Sequence, residues 1–259
     1  VSSSSTDLWF DLELSAGLRF QLRLAKLLHR RYLGKPGEAE RFLLKAQLGT
    51  AGGFGAVFLA YDNVTCIDVA IKVPHPHFTH DQVLREWDKA RRVNTTGHPG
   101  IVVSYEILRG HDDEDYACIV MEYVRGQTLR SIIEEQPPPL ALERVLRLCD
   151  QIAAAMAAIH ALPGDLAHCD LKPENLMVVA DEHVEGGERV RILDFGIARL
   201  TTQFRSTQRL LQGEGGGAAG GERAVVGTPF YMAPEVWLGE ISTRVDVYAL
   251  AVILVELLS

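Results

Sequence analysis

A chain of 259 residues, 47% hydrophobic and 23% charged, has ample material to bury a core and is expected to form one or two domains. Its formal net charge of −8 argues against nucleic acid or an anionic membrane as the main partner, since both attract a basic surface. Cys66, Cys118, Cys149 and Cys169 are scattered without metal-like pairing, a pattern that fits reduced thiols and a cytoplasmic location.

The first elements are weakly marked. Residues 2–6 are a Ser/Thr run with nothing to bury and are expected to be disordered. Over residues 8–33, strand-like alternation (Leu18, Phe20, Leu22, Leu24) competes with helical spacing (Leu24, Leu27, Leu28, Tyr32). No turn signal interrupts the run, so the reading is a helix with Arg19, Arg23, Lys26, Arg30 and Arg31 mostly on its polar side, ended by Gly34-Lys35-Pro36-Gly37. From residue 41 the pattern becomes strand, glycine-rich turn, strand. Val69-Ala70-Ile71-Lys72 follows as an apolar strand closing on a lysine, and residues 81–93 have helical spacing. His75, His77 and His80 lie around Pro76 and read as loop histidines, because a metal site needs regular geometry and further ligands.

Further on, residues 119–124 read as a strand and residues 140–162, rich in Ala and Leu, as a long helix. Residues 213–221 hold six glycines and are expected to be mobile. Residues 245–258 read as a buried core helix; Asp246 and Glu256 interrupt them, and no stretch reaches the roughly 18 apolar residues of a membrane span.

The chemistry is concentrated in His168-Cys169-Asp170-Leu171-Lys172-Pro173-Glu174-Asn175, followed at the distance of one short hairpin by Asp194-Phe195-Gly196. When a γ-phosphoryl group moves, catalysis rests on holding nucleotide, metal and an incoming hydroxyl in line. Asp170 can orient that hydroxyl and accept its proton, and Lys172 can neutralise charge on the migrating group. Asn175 and Asp194 supply the hard oxygen donors that Mg²⁺ prefers. One such triplet alone is an ordinary solvated turn; here other motifs accompany it.

In order, the chain shows a glycine-rich stretch, Val69-Ala70-Ile71-Lys72, the Asp170 loop, Asp194-Phe195-Gly196 and Ala233-Pro234-Glu235. This succession resembles the eukaryotic-type Ser/Thr protein kinases, bacterial members included, over roughly residues 41 to 259. The resemblance implies a two-lobed α+β kinase fold: an extension at 1–40, a sheet-rich small lobe at 41–123 and a mainly helical large lobe at 124–259, with ATP between the lobes. It implies that Lys72 contacts the α and β phosphates and that Glu86 pairs with Lys72. Gly52, Gly53, Phe54 and Gly55 would cradle phosphates, Val57 and Ala70 would cover the adenine, and Met121 would stand behind it. The backbone of Glu122 and Val124 would bind the base, and Met177 completes the cofactor-binding set. ATP, Mg²⁺ and protein substrates are the implied ligands, and Asp246 resembles the buried aspartate that anchors the catalytic loop.

The implied activity is γ-phosphoryl transfer to protein Ser or Thr, because Lys172-Pro173-Glu174 is the Ser/Thr form of the motif. A small-molecule kinase would generally lack the Ala-Pro-Glu platform; a pseudokinase or nucleotide-binding scaffold would not need Lys72, Asp170, Asn175 and Asp194 together. The chain departs from the family pattern in two places. Thr50 stands where the first glycine of the loop is expected, and Cys169 stands where most members have an arginine that receives a loop phosphate. Activity is therefore expected to depend little on phosphorylation at Thr201, Thr202, Ser206 or Thr207. Val1 is not an initiator Met and Ser259 falls within a helical pattern, so both ends are expected to be cuts. That would leave the large lobe short of its last helices, Glu235 without its family partner and the fragment poorly stable.

Overall fold

Strands β2 (Phe42–Leu48), β3 (Gly55–Asp62) and β4 (Ile67–Pro74) form an antiparallel meander, joined by β5 (Ser104–Arg109) and β6 (Ala117–Glu122). With a two-residue strand β1 (Tyr32–Leu33) on the outer edge, the order is β1-β2-β3-β4-β6-β5. The computed structural model describes residues 32–33, 41–49, 55–75, 78–109, 117–194, 229–238 and 240–259. Tyr32 and Leu33 correct the helix expected over 8–33, because the free edge of β2 offers hydrogen bonds at Leu43 and Phe42 that local periodicity cannot reveal. Residues 8–31, the Ser/Thr run, Gly34 to Gly37 and the glycine-rich segment 213–221 lie outside the described residues.

The sheet is apolar on both faces. Phe42, Phe58, Ala60, Val69, Ile71, Val73, Cys118 and Val120 pack on one side; Ala70, Ile119 and Met121 pack on the other with Val83 of helix α1 (His80–Asn94). Thr79 caps α1 by accepting from the Gln82 N–H, while the Gln82 side chain accepts the Thr79 N–H at 2.8 Å. Asp81 in its first turn and Arg91 and Arg92 in its last complement the helix dipole. Its buried stripe is Val83, Glu86, Lys89, Ala90 and Val93, which places two charged residues among apolar ones.

The second lobe is built on α3 (Leu142–His160), two residues shorter at each end than expected, whose Leu148, Ile152 and Ile159 are fully buried. A three-stranded sheet, β7 (Gln127–Thr128), β8 (Leu176–Ala180) and β9 (Glu188–Ile192), and helices α2 (Leu129–Glu135), α4 (Pro234–Trp237) and α5 (Arg244–Leu258) complete it. The reading of 245–258 as a buried core helix holds for one side of the helix only. Ala249, Ile253 and Leu257 are buried, but Val247 and Val255 are 63% and 61% exposed. The residues are apolar all round the helix, so their periodicity could not say which side packs. The lobes meet where the chain leaving α1 joins β9, through Val102 N–H to the Ile192 carbonyl (3.1 Å) and Ile192 N–H to the Gly100 carbonyl (2.8 Å).

Candidate active site

The loop from His168 to Asn175 is suspended from one buried carboxylate. Asp246, at the start of α5 and 1% exposed, accepts the N–H groups of His168 (2.7 Å) and Cys169 (2.8 Å) and faces His160 Nε2 at 2.8 Å. Burial pushes the Asp246 carboxyl up, but the hydrogen bonds from His160, Cys169 and His168 outweigh it and hold the group below the usual carboxylate range. These bonds fix Cys169 in a left-handed conformation (φ 69°), which costs about 1 to 3 kcal/mol for a residue with a side chain.

His168 is fully buried, and its Nε2 lies 2.8 Å from the Leu193 carbonyl, which can only accept. Nε2 therefore carries the proton, and Nδ1 accepts the Asp170 N–H at 3.3 Å. Burial pushes the imidazole below its ordinary 6.5. With the folded value lower than the unfolded one, the unfolded chain binds the extra proton first, so stability falls as pH drops below the unfolded value of about 6.5. Thermal unfolding at about pH 5.5 should occur at a lower temperature than at about pH 7.5. An equal or higher transition temperature at the acid pH would show that the folded ring accepts the proton.

At the loop's tip, Lys172 Nζ lies 3.1 Å from both carboxylate oxygens of Asp170. Asn175 Nδ2 donates to the Asp170 carbonyl (2.7 Å) and to its Oδ2 (3.1 Å), which turns the Asn175 amide oxygen the other way. Leu193 N–H donates to the Asn175 carbonyl at 2.9 Å, so the β8–β9 hairpin brings Asp194 back beside the loop. Asp194 is itself left-handed (φ 49°), and its carboxylate lies 3.0 Å from Lys72 Nζ. Lys72 also reaches Glu86 Oε1 at 2.7 Å. Burial pulls the Lys72 ammonium down, but Asp194 and Glu86 more than offset it, and the group is held above its ordinary value. The second Glu86 oxygen is buried without a hydrogen-bond partner among the described residues.

Above this row, register places Val57 opposite Lys72 and Ala70 opposite Met121, so all four share one sheet face. Gly55 has no room for a side chain, because a Cβ there would stand 1.8 Å from the Val73 carbonyl oxygen. The Glu122 N–H is engaged by the Val103 carbonyl at 2.8 Å, and Val124 lies between β6 and β7. Met177 sits on β8, opposite Thr128 and Arg191. Gly52, Gly53, Phe54, Phe195, Gly196 and Thr228 lie outside the described residues.

The chain matches the protein kinase domain family over residues 42–259. It belongs to that family. The kinase domain is 35% identical over 223 residues to the Serine/threonine-protein kinase pkn2 of Myxococcus xanthus, covering 85% of this chain and 24% of the relative. It is 32% identical over 211 residues to PrkC of Bacillus subtilis (80% and 29%) and 32% identical over 231 residues to PknB of Mycobacterium leprae (86% and 33%). The chain thus spans about a quarter to a third of the length of these curated relatives.

Three features of the kinase domain escaped the sequence reading. His160, the last residue of α3, faces Asp246, and Lys89 is buried on α1. Arg130 on α2 joins Glu174 (3.1 Å), Glu256 (2.7 Å) and the Tyr231 hydroxyl (2.6 Å), linking the loop from His168 to Asn175 to the segment before Ala233-Pro234-Glu235. Each is a polar residue at a position that sequence alone reads as a solvated helix face, and only tertiary packing gives it partners.

Proposed function

We propose that the domain transfers the γ-phosphoryl group of ATP to Ser or Thr hydroxyls of proteins. The observation that carries this is the single row from Asp170, held by Lys172 and Asn175, across the hairpin to Asp194, Lys72 and Glu86. ATP and a divalent cation are what the family uses. The residues fit both: Val57, Ala70 and Met121 offer an apolar face beside a charged lysine, and Asn175 and Asp194 offer hard oxygen donors. Mg²⁺ is the ion we assign, and when bound it would neutralise phosphate charge.

In this reading Asp170 orients the substrate hydroxyl and takes its proton as oxygen attacks the γ phosphorus and the bond to ADP breaks. Lys172, beside that carboxylate, offsets charge on the moving group, while Lys72, fixed by Glu86, binds the α and β phosphates. Gly52 to Gly55 cover the phosphates, and Val57, Ala70, Met121 and Met177 enclose the adenine. Val124 contributes backbone to the base; with its N–H engaged, Glu122 contributes its carbonyl. We place the lobe boundary at 123/124, where β6 has ended, and the work in the cytoplasm, which fits four free thiols. No described helix is long and apolar enough to cross a membrane.

Mg-ATP should raise the unfolding temperature of the full-length protein and label a generic protein substrate on Ser or Thr, and EDTA should abolish both. A nucleotide-binding scaffold would give the stabilisation without the label. Thr201, Thr202, Ser206 and Thr207 lie outside the described residues. With a neutral thiol at 169, replacing all four by Ala is expected to leave activity within about tenfold of wild type. A larger loss would show control by loop phosphate.

A further inference from the structure

Lys89, one turn beyond Glu86 on the buried stripe of α1, is 3% exposed. Its ammonium donates to the carbonyl of Ala167, the residue immediately before the catalytic loop. The Asp246 and Glu86 carboxylates lie near enough to act on its charge. Three residues further along the helix, Arg92 donates to the Pro163 carbonyl. The helix that carries Glu86 therefore grips, at two carbonyls, the chain entering the loop that carries Asp170.

A buried ammonium is costly unless it is compensated, and an apolar side chain would pack at this position without that cost. Burial pulls the Lys89 ammonium below its ordinary value, and part of what offsets this, the Ala167 carbonyl and the Asp246 carboxylate, lies outside α1 and would be lost if the helix swung outward. Burial pushes the neighbouring Cys169 thiol up to about 12, so it stays neutral and leaves the carbonyl and carboxylates to hold the ammonium. Resting on the kinase reading, we propose that Lys89 is a positioning residue that ties α1 to the catalytic loop, so that the Lys72–Glu86 pair and Asp170 are assembled together.

Lys89→Met keeps the stem and removes the donor; Lys89→Arg keeps a donor. In the full-length protein, Lys89→Met should lower kcat for a generic protein substrate by about tenfold or more, and Lys89→Arg should retain at least about a third of kcat. A Met variant within about twofold of wild type, or Met and Arg variants equally impaired, would overturn the proposal. Hydrogen exchange without nucleotide gives a readout that does not need activity. Amides of α1 should be protected in wild type and exchange faster in Lys89→Met. If the variant fails to fold, unprotected α1 amides in wild type would overturn the tie, and protected ones would support it. A wild type that transfers no phosphate yet shows protected α1 amides would fault the kinase reading and leave the tie standing.

Discussion

Asp170→Asn should lower kcat by about 10² to 10⁴, the range of a lost general base, while Mg-ATP still raises the unfolding temperature as in wild type. The two aspartates of the row sit in different company, and this separates their roles. Asp170 is held by Lys172 and Asn175 at the loop's tip, where a hydroxyl can approach. Asp194 is held against Lys72, on the side assigned to phosphates and metal. Asp194→Asn should therefore lose most of the Mg²⁺-dependent part of nucleotide stabilisation as well as activity. Titrating each variant with ATP, with and without Mg²⁺, checks this directly. Unimpaired activity in both variants, or equal loss of metal-dependent binding in both, would refute the assignment.

Asp246→Asn should destabilise the domain by about 3 to 5 kcal/mol, the cost of breaking a buried charged network from one side. The amide matches the carboxylate in size, but its NH₂ would face an N–H of His168 or Cys169, or the His160 ring, and a buried donor would meet a donor. Against a usual margin of 5 to 15 kcal/mol this is a large fraction. At about 2 to 4 °C per kcal/mol for a chain of this size, the unfolding temperature should fall by at least about 6 °C. A loss below about 1 kcal/mol in a denaturant titration would mean that Asp246 does not carry the loop.

The linear motifs were legible because the chemistry fixes both residue type and spacing: Asp170, Lys172 and Asn175 lie within one turn of chain, and Asp194 follows one hairpin later. Glu86 was legible through the family resemblance, which asks for an acidic partner of Lys72 on the helix that follows it, and the two side chains do meet at 2.7 Å. Lys89 lies on the same stripe of α1, yet a helical lysine ordinarily reads as solvated. Its burial depends on Ala167, 78 residues away. Arg130 was invisible for a similar reason, since Glu256 is 126 residues distant. Tyr32 and Leu33 show the limit in its simplest form, because the hydrogen bonds of a sheet edge override a weak local helical pattern.

Transfer of a phosphoryl group from ATP to protein hydroxyls with Asp170 as the base is tested most directly by mass spectrometry of the full-length protein after incubation with Mg-ATP and a generic protein substrate. Wild type should acquire phosphate on Ser and Thr residues of the substrate, and the folded, nucleotide-binding Asp170→Asn variant should leave none above background. Equal phosphate incorporation by the two proteins, or none by wild type that binds Mg-ATP, would contradict it.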